Sequence, residues 1–500
     1  MIKQRVKEYG DFQTPVALAR DACALLARRG VHPRSIVEPT CGLGSFLNAA
    51  VELFSEATQI VGLDINHSYV ERAAESVRSA TSRRDCRIVQ GDFFEFDWQS
   101  AFADLREPLL IIGNPPWVTN SALGVMKSGN LPNKGNFQKM RGIEAITGKS
   151  NFDIAEWMLI RLMECLTGRR GTVAMLCKTS TARKALTFAW KNSHPIEQAA
   201  IYLVDAKTYF GAAVDACLLV ASFSEKVGSP TCRVYSSLID NSVSYSFGLF
   251  DGGLVANLDA YKRWQHLFGA NNLKWRSGVK HDCARVFELQ RIDGAYCNGL
   301  GERVEIEDAF VFPMYKSSEI AKGASHPPRR WMIVPQRCVS DDTNAIRETA
   351  PSTWDYLVHH GAMLDRRASS IYRKRARFAV FGVGSYTFSR WKVAIGALYK
   401  RLRFTPVGPR NGQPVVLDDT CYFLPCRNKA QAHGIADILN SPVAIEALSS
   451  YVFFDAKRPV TTDVLNRLSL PAIARQLGWD DHAIARLLPH EASEQQKSLF

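Results

Sequence analysis

The first 225 residues of the chain alternate short apolar runs with amphipathic segments. The apolar runs predict buried strands at 35–39, 59–65, 87–92, 109–114, 171–177, 199–205 and 215–223. Segments with apolar residues every three to four positions predict helices at 45–54, 69–80 and 152–166. This alternation is typical of a mostly parallel sheet covered on both faces, in which ligands bind beyond the carboxyl ends of the strands.

The alternation is lost after about residue 230, where aromatic and basic segments with Gly and Pro begin. We therefore predict two domains, 1–235 and 236–500, which a chain of 500 residues is long enough to form. No apolar run reaches the roughly 18 residues of a membrane helix. The first residues, MIKQRVKEYGDF, are too polar for a signal peptide. We therefore expect a cytoplasmic protein.

The first predicted strand leads into the segment VEPTCGLGSFL, residues 37–47. Gly42 and Gly44 lie between a strand and a helix, where glycines allow a tight turn and a close approach of ligand to backbone. The segment lacks the third glycine of a dinucleotide site and the lysine of an ATP site, which disfavours both ligands. Glu38, at the tip of the strand, suits a cation better than a phosphate.

The next two strands also end in carboxylates. Asp64 follows the glycines by about 20 residues, a position suited to the hydroxyls of a ribose. Asp92 and Phe93 offer an acceptor and a ring face, which suit an adenine. Each feature alone is weak, because Asp is also common in turns and helix caps. Together they describe a ribose, an adenine and a cationic group, which fits S-adenosylmethionine.

The fourth strand runs into Asn114-Pro-Pro-Trp117. The side-chain carbonyl of Asn114 and the backbone carbonyl of Pro115 can accept both hydrogens of one planar amino group. Such fixed dipoles stabilise positive charge that develops on nitrogen during methyl transfer, and Trp117 can stack on the ring that bears the amine. The alternative is a proline-rich turn with Trp117 in the core.

The order DFQTP, EPTCGLGSF, GLD, GDFF and GNPPW resembles the gamma class of N6-adenine DNA methyltransferases of restriction–modification systems. The resemblance covers about residues 8–225, and residues 270–470 are similar to target-recognition domains. It implies an α/β fold, a Rossmann-like, mostly parallel seven-stranded methyltransferase sheet followed by an α+β target-recognition domain that binds double-stranded DNA. It also implies direct methyl transfer to an adenine flipped out of the duplex.

The resemblance further implies roles for individual residues. Those implied to bind S-adenosylmethionine are Thr14 and Pro15 at the methionine end, Glu38, Thr40, Gly42 and Gly44 along the amino-acid part, Asp64 at the ribose, and Asp92 and Phe93 at the adenine. Those implied to hold the target adenine are Asn114, Pro115 and Trp117, with Tyr209 or Phe210 as a second ring.

The net charge of +13 is unevenly distributed, since 361–410 holds twelve basic residues and one acidic residue, Asp365. A field of one sign favours a polyanionic partner, although a solvated basic face would look the same. The candidates for DNA contact are Arg373, Lys374, Arg375, Arg377 and Lys392. Neighbouring aromatics such as Phe378 are expected in the core.

Twelve cysteines occur singly without a CxxC pair, so we expect reduced thiols and no metal site. Other amino-methyltransferases, acting on RNA or on protein glutamine, remain alternatives because NPPW suits any planar amine or amide. A non-enzymatic DNA-binding specificity protein is a further alternative, disfavoured because the cofactor residues are present. The motifs begin near residue 10, so we expect any cognate restriction endonuclease to be a separate chain.

Overall fold

The computed structural model describes residues 13–80, 85–117, 153–211, 214–269 and 273–488. The chain divides into two compact units, Met1–Asp259 and Ala260–Phe500. This division lies after the boundary expected at residue 235. The reason is that the strands between residues 231 and 255 continue the sheet of the first unit.

The first unit is built on a ten-stranded sheet that contains the seven expected strands and three more. Its strands are β1 Ser35–Glu38, β2 Gln59–Asp64, β3 Asp85–Gln90, β4 Leu109–Gly113, β5 Gly171–Lys178, β6 Ile196–Val204, β7 Ala216–Phe223, β8 Thr231–Tyr235, β9 Tyr245–Phe250 and β10 Gly253–Val255. The order is β10-β9-β8-β6-β7-β5-β4-β1-β2-β3. The mostly parallel, Rossmann-like sheet is therefore confirmed, with β7 antiparallel to both of its neighbours.

Helices follow most of these strands, and they include the three that the amphipathic segments predict at 45–54, 69–80 and 152–166. They are α1 Val16–Arg28, α2 Ser45–Leu53, α3 His67–Ala80, α4 Trp98–Ala103, α5 Ile154–Cys165, α6 Thr179–Lys191, α7 Ala206–Phe210 and α8 Leu258–Trp264. Every residue of β1 and of β4 is buried, because the two strands lie side by side in the middle of the sheet. Their carboxyl ends meet where the chain crosses from one side of β1 to the other, the usual ligand position in such sheets.

The second unit combines two smaller sheets with separate helices, which is an α+β arrangement. Four strands form the order β11-β20-β17-β18 and six form β14-β13-β12-β16-β15-β19. The strands are β11 Arg276–Ser277, β12 Glu288–Ile292, β13 Ala295–Asn298, β14 Arg303–Val304, β15 Val311–Tyr315, β16 Arg330–Ile333, β17 Trp391–Gly396, β18 Thr405–Val407, β19 Val416–Leu417 and β20 Cys421–Cys426.

The helices of the second unit are short. They are α9 Ala284–Phe287, α10 Ser317–Ala321, α11 Ile346–Thr349, α12 Pro351–His359, α13 Gly361–Asp365, α14 Lys429–Leu439, α15 Pro442–Ser449, α16 Thr462–Leu465, α17 Leu470–Gln476 and α18 Asp481–Leu487. Single 3₁₀ turns lie at Gln265–Leu267, Asp308–Phe310, Thr343–Ala345, Ser370–Lys374 and Ser385–Phe388. One apolar cluster packs α14, α15 and α17 against the four-stranded sheet, and another fills the space under the six-stranded sheet.

Two further properties bear on function. All twelve cysteines are free thiols. None of the helices in the described part of the chain has both the length and the apolar character that crossing a membrane requires.

Candidate active site

The carboxyl ends of β1 and β4 bring two of the predicted motifs together. The two strands pair in parallel, with Val37 beside Ile111, so the residues after each strand also become neighbours. Beyond the strands, the Thr40 hydroxyl donates a hydrogen bond to the backbone carbonyl of Asn114 at 3.4 Å. The glycine loop and the NPPW segment therefore share one edge of the sheet.

Glu38 is buried at this edge, with 3% of its surface exposed. Its Oε2 accepts a hydrogen bond from the Leu47 N–H at 3.1 Å, and its side chain lies against Gly113. Burial raises the pKa of the Glu38 carboxyl well above its usual value, and the charge of Asp64 raises it further. A cation placed here would reverse that shift, so the position suits a positively charged ligand.

The glycine loop is held in shape by the carboxylate of Asp64. The N–H of Gly42 donates to Asp64 Oδ2 at 2.8 Å, and the N–H of Asn66 donates to Oδ1 at the same distance. Gly42 and Gly44 have φ of +49° and +82°, a region that favours glycine. A Cβ at Gly44 would also lie 3.2 Å from that of Ala73 on α3. Asp64 therefore organises the loop.

The segment before α1 lies beside the same loop. The Gln13 side-chain oxygen accepts a hydrogen bond from the Leu43 N–H at 3.2 Å. Thr14 and Pro15 follow directly, both half-buried, and Pro15 precedes the first residue of α1. The structure thus brings Thr14 and Pro15 to the edge that carries Glu38 and the glycines.

The Asp92 region differs in one respect from what the sequence suggested. Asp92 follows β3, and its Oδ1 accepts a hydrogen bond from the Phe94 N–H at 2.8 Å. The Phe93 ring is 5% exposed and packs against Trp98 at a centroid distance of 5.1 Å, so its faces are occupied by core. Phe94 is the half-buried ring of the pair and lies tilted against Trp157, with their centroids 4.8 Å apart. Sequence reasoning missed Phe94, although it is the second aromatic of GDFF.

In the NPPW segment, Asn114 is half-buried while Pro115 and Trp117 are buried. The Trp117 ring contacts Phe210 of α7 edge to face, with centroids 5.3 Å apart and planes at 67°. The two aromatics named as candidate stacking rings therefore meet at the site. Their edge contact leaves no space for a base between them in this conformation. The Tyr209 ring is tilted against that of Phe210, with their centroids 6.5 Å apart.

The residues at this edge fit the cofactor that the sequence suggested. Glu38 offers a buried carboxylate for a cation, Asp64 and Asp92 offer carboxylates at the ends of the next strands, and Gly42 and Gly44 add no side chain of their own to the loop. None of these positions provides the basic side chain or Walker lysine that a phosphate-bearing ligand uses.

The basic segment 361–410 does not behave as one surface. Lys392 is fully buried in β17, and its ammonium donates to the backbone carbonyls of Ser389 and Val415. Burial lowers the pKa of Lys392 to about 7. The assignment of Lys392 to DNA contact is therefore wrong, since its side chain does not reach the surface. Arg367 is also buried and donates to backbone carbonyls, including that of Ala379 at 2.8 Å.

The other candidate basic residues lie in or near the 3₁₀ turn at 370–374. Arg373 and Arg375 are exposed, and neither forms an ion pair within the described residues. Arg377 is exposed too, but it pairs with Asp365 at 2.8 Å. The side chain of Lys374 lies outside the described part of the structure. The core position expected for Phe378 is confirmed, because that ring is fully buried.

Sequence reasoning missed the loop between β17 and β18. It exposes Leu398 and Tyr399, with 41% and 39% of their surfaces accessible, next to the exposed cations Lys400, Arg401 and Arg403. The loop contains no acidic residue. The sequence signal for this loop was the basic run that follows the strand. It is hard to recognise because basic residues are spread over the whole of 361–410.

One group in the described residues has the side chains of a metal site. Glu302, His359 and His360 bring one potential ligand atom each to within 4.8 Å of one another. Glu302 already pairs with His360 at 3.1 Å and accepts a hydrogen bond from Asn298 at 2.6 Å. The expectation of no metal thus stays a prediction.

Comparison with known proteins yields a consistent set of relatives. The family model described as N-6 DNA Methylase matches residues 1–184. The chain is 45% identical over 470 residues to the type II methyltransferase M.NspV of Nostoc sp. (strain ATCC 29411 / PCC 7524), covering 94% of this chain and 97% of that protein. It is 33% identical over 88 residues to the type II methyltransferase M.CvrRI of Paramecium bursaria Chlorella virus XZ-6E, covering 18% of this chain and 20% of that one.

Among solved structures, the type IIL restriction-modification enzyme MmeI in complex with DNA is similar over 94% of this chain and 74% of its own, with a TM-score of 0.49 and 13% identity. Because the likeness to M.NspV extends over nearly the whole of both chains, it covers both units and not only the sheet. The chain therefore belongs to the N-6 DNA methylases as a type II methyltransferase, an enzyme that transfers a methyl group from S-adenosylmethionine to N6 of adenine in DNA.

Proposed function

We propose that the methyl group is accepted by an adenine flipped out of double-stranded DNA and held by the NPPW segment, in the manner of the gamma class. The observation that carries this proposal is the contact between the two motifs. The hydroxyl of Thr40, two residues after the buried Glu38, donates to the carbonyl of Asn114 at 3.4 Å. A methyl donor bound along the glycine loop is thereby next to an amine bound at Asn114.

S-Adenosylmethionine, when bound, supplies an electrophilic methyl group on a sulfonium. Glu38 binds its positively charged end, Asp64 holds the ribose while it organises the glycine loop, and Asp92 accepts from the adenine. Thr14 and Pro15 close the methionine end. Phe94 replaces Phe93 as the ring that faces the cofactor, because the faces of Phe93 are packed.

Asn114 and Pro115 act on the target base. Their two carbonyl oxygens accept the two N6 hydrogens, which turns the nitrogen lone pair toward the methyl carbon. The bound donor would supply the methyl group to this nitrogen in a single displacement, and the extra proton that N6 then carries would leave to solvent. Fixed dipoles aimed at the developing positive charge lower the barrier without a covalent intermediate. Trp117 stacks on the base after Phe210 moves from their edge contact.

The second unit, Ala260–Phe500, serves as the target-recognition domain in this proposal. Its exposed cations bind phosphates and base edges. Arg373 and Arg375 are retained as contacts, Lys400, Arg401 and Arg403 of the β17–β18 loop are added, and Lys392 is omitted. We further propose that the enzyme acts in the cytoplasm as the modification partner of a restriction endonuclease on a separate chain.

The test is transfer of labelled methyl from S-adenosylmethionine to duplex DNA, followed by nucleoside analysis. The wild type should produce N6-methyladenine. Asn114→Ala should reduce the rate by about 100-fold or more, as removal of one fixed dipole at a developing charge does, while binding of S-adenosylmethionine is kept. Asn192→Ala is the matched control, since that exposed asparagine caps the end of α6 through Phe188.

Two outcomes would overturn the proposal. If Asn114→Ala and Asn192→Ala methylate equally well, the NPPW segment does not hold the reacting amine. If methyl enters single-stranded DNA and duplex DNA at equal rates whatever the sequence, the second unit does not select a site in the duplex.

A further inference from the structure

An ion pair at the end of β5 lies next to the NPPW segment. Lys178, the last residue of β5, places its ammonium 2.6 Å from Oδ2 of Asp153. The same ammonium donates to the backbone carbonyl of Trp117 at 3.3 Å. The pair is partly shielded from water, since the Asp153 side chain is 9% exposed and that of Lys178 is 23% exposed.

Each partner of this pair is fixed by the fold. Asp153 caps the amino end of α5, where its Oδ1 accepts a hydrogen bond from the Ala155 N–H at 3.3 Å. Lys178 continues a strand that pairs with β4 up to Gly113, the residue before Asn114. The Lys178 ammonium, held by the carboxylate that caps α5, is therefore directed at Trp117, the last residue of the NPPW segment.

We propose that Lys178, fixed by Asp153, is a positioning residue that holds the backbone of the NPPW segment through the Trp117 carbonyl. The inference rests on the proposed function of that segment. Two prolines remove backbone donors from the turn, so the segment depends on donors from outside to fix its path. Small displacements of groups that align a reacting atom cost large factors in rate.

A second ion pair in the same region supplies a matched control. Lys184 of α6 pairs with Glu156 of α5 at 3.1 Å. It joins α5 to α6, the helix that begins directly after Lys178, but Lys184 has no hydrogen bond to the NPPW segment in the described residues. Any effect of merely loosening α5 from α6 should therefore appear in Lys184→Met as well.

The first measurement is amide hydrogen exchange in the free full-length protein, in peptides covering residues 113–117. We expect Lys178→Met to exchange faster than the wild type there, and Lys184→Met to match the wild type. Asp153→Asn, which keeps a good capping side chain and removes the charge, should also speed exchange. Lys178→Arg should restore protection, because it keeps a donor and the positive charge.

The second measurement is single-turnover methyl transfer at saturating DNA and S-adenosylmethionine. Lys178→Met should lower the rate at least about 10-fold with cofactor affinity unchanged, because misplacement affects the reacting geometry and not the cofactor site. Lys184→Met should react at the wild-type rate. If the Lys178→Met protein does not fold, Asp153→Asn carries the same comparison.

The proposal is overturned if Lys178→Met and Lys184→Met show equal exchange at residues 113–117, or if Lys178→Met transfers methyl at the wild-type rate. Failure of the proposed function would look different. In that case the wild type itself would not methylate adenine in duplex DNA, while the exchange comparison would still report whether Lys178 holds the segment.

Discussion

In both units charged side chains form hydrogen bonds to backbone groups, but the first unit does so with carboxylates at a sheet edge and the second with basic side chains inside a core. In the first unit the carboxylate of Glu38 accepts a hydrogen bond from the Leu47 N–H in α2, and that of Asp64 accepts one from the Gly42 N–H in the glycine loop. In the second unit the cations of Arg367 and Lys392 donate to carbonyls inside a core. The carboxylates lie at the edge of the sheet to which we assign the cofactor, whereas these two cations are enclosed.

This difference between the two units indicates when the sequence position of a charged residue can predict a binding site. Parallel strands bring their carboxyl ends to one edge, so a polar residue that directly follows a strand is placed at that edge by topology alone. For a basic residue in a segment of 3₁₀ turns and short strands, no comparable rule predicts whether the side chain lies at the surface. Its exposure depends on the local path of the chain, and in 361–410 this path buries Lys392 at 0% exposure while leaving Arg373 and Arg375 outside.

The largest effect that we expect is the contribution of the buried Lys392 to the pH dependence of the free energy of unfolding. The folded protein holds its pKa at about 7, whereas an unfolded lysine titrates near 10.4. Between these values the unfolded chain carries the extra proton, so the free energy of unfolding rises with pH, by up to about 1.4 kcal/mol per pH unit. Denaturant unfolding of both proteins between pH 7 and 10 should show the free energy of unfolding of the wild type rising with pH relative to that of Lys392→Met.

Lys429→Met is the control, because that lysine is exposed at the start of α14. It should reproduce the wild-type pH dependence. DNA affinity of the folded Lys392→Met protein should equal that of the wild type. A loss of DNA affinity in a folded Lys392→Met protein would break the comparison, since it would return this residue to the binding surface.

The next effect concerns Glu38 and the cofactor. Without ligand its pKa is raised by burial, so part of the protein carries a neutral Glu38 above the usual pKa of a glutamate. A bound cation favours the carboxylate and lowers that pKa, so binding releases a proton and affinity increases as pH rises toward the raised pKa. Calorimetry in buffers of different ionisation enthalpy should detect this release.

Glu38→Gln should abolish the proton release and weaken S-adenosylmethionine binding by about 10- to 100-fold, the usual range for a hydrogen bond to a charged group. Glu52→Gln, at an exposed glutamate that pairs with Arg20 on the surface, should change neither property. Equal proton release by the wild type and Glu38→Gln would show that the cationic end binds elsewhere.

Much of the first unit could be predicted from the sequence, because apolar runs locate buried strands and parallel pairing places the strands' carboxyl ends at one edge. Strands β1 to β7 lie within a few residues of the apolar runs that predicted them, and the GNPPW motif had to emerge at the edge shared with Glu38. The extension by β8 to β10 was missed because those segments are short and lack intervening helices. Phe93 could not be separated from Phe94 by sequence, since two adjacent rings differ only in which one the turn directs inward.

The smallest predicted effect tests the exposed half of the basic segment. Arg373→Gln with Arg375→Gln should weaken binding to duplex DNA and reduce the slope of log affinity against log salt by about two units, close to one for each phosphate that is no longer neutralised. Fluorescence anisotropy with a labelled duplex over a range of salt concentrations measures both quantities. Methyl transfer at saturating DNA should be unchanged, because neither residue belongs to the proposed reaction site.

The matched control keeps the net charge constant. Arg377→Gln with Asp365→Asn removes both members of an exposed ion pair whose charged atoms lie 2.8 Å apart. Because one positive and one negative charge are lost together, the local electrostatic field is nearly unchanged. This double variant should keep the wild-type salt slope. If it lowers the slope as much as replacement of Arg373 and Arg375 does, the paired arginine also binds phosphate. Exposure without an acidic partner would then be the wrong criterion for choosing DNA-binding residues in the second unit.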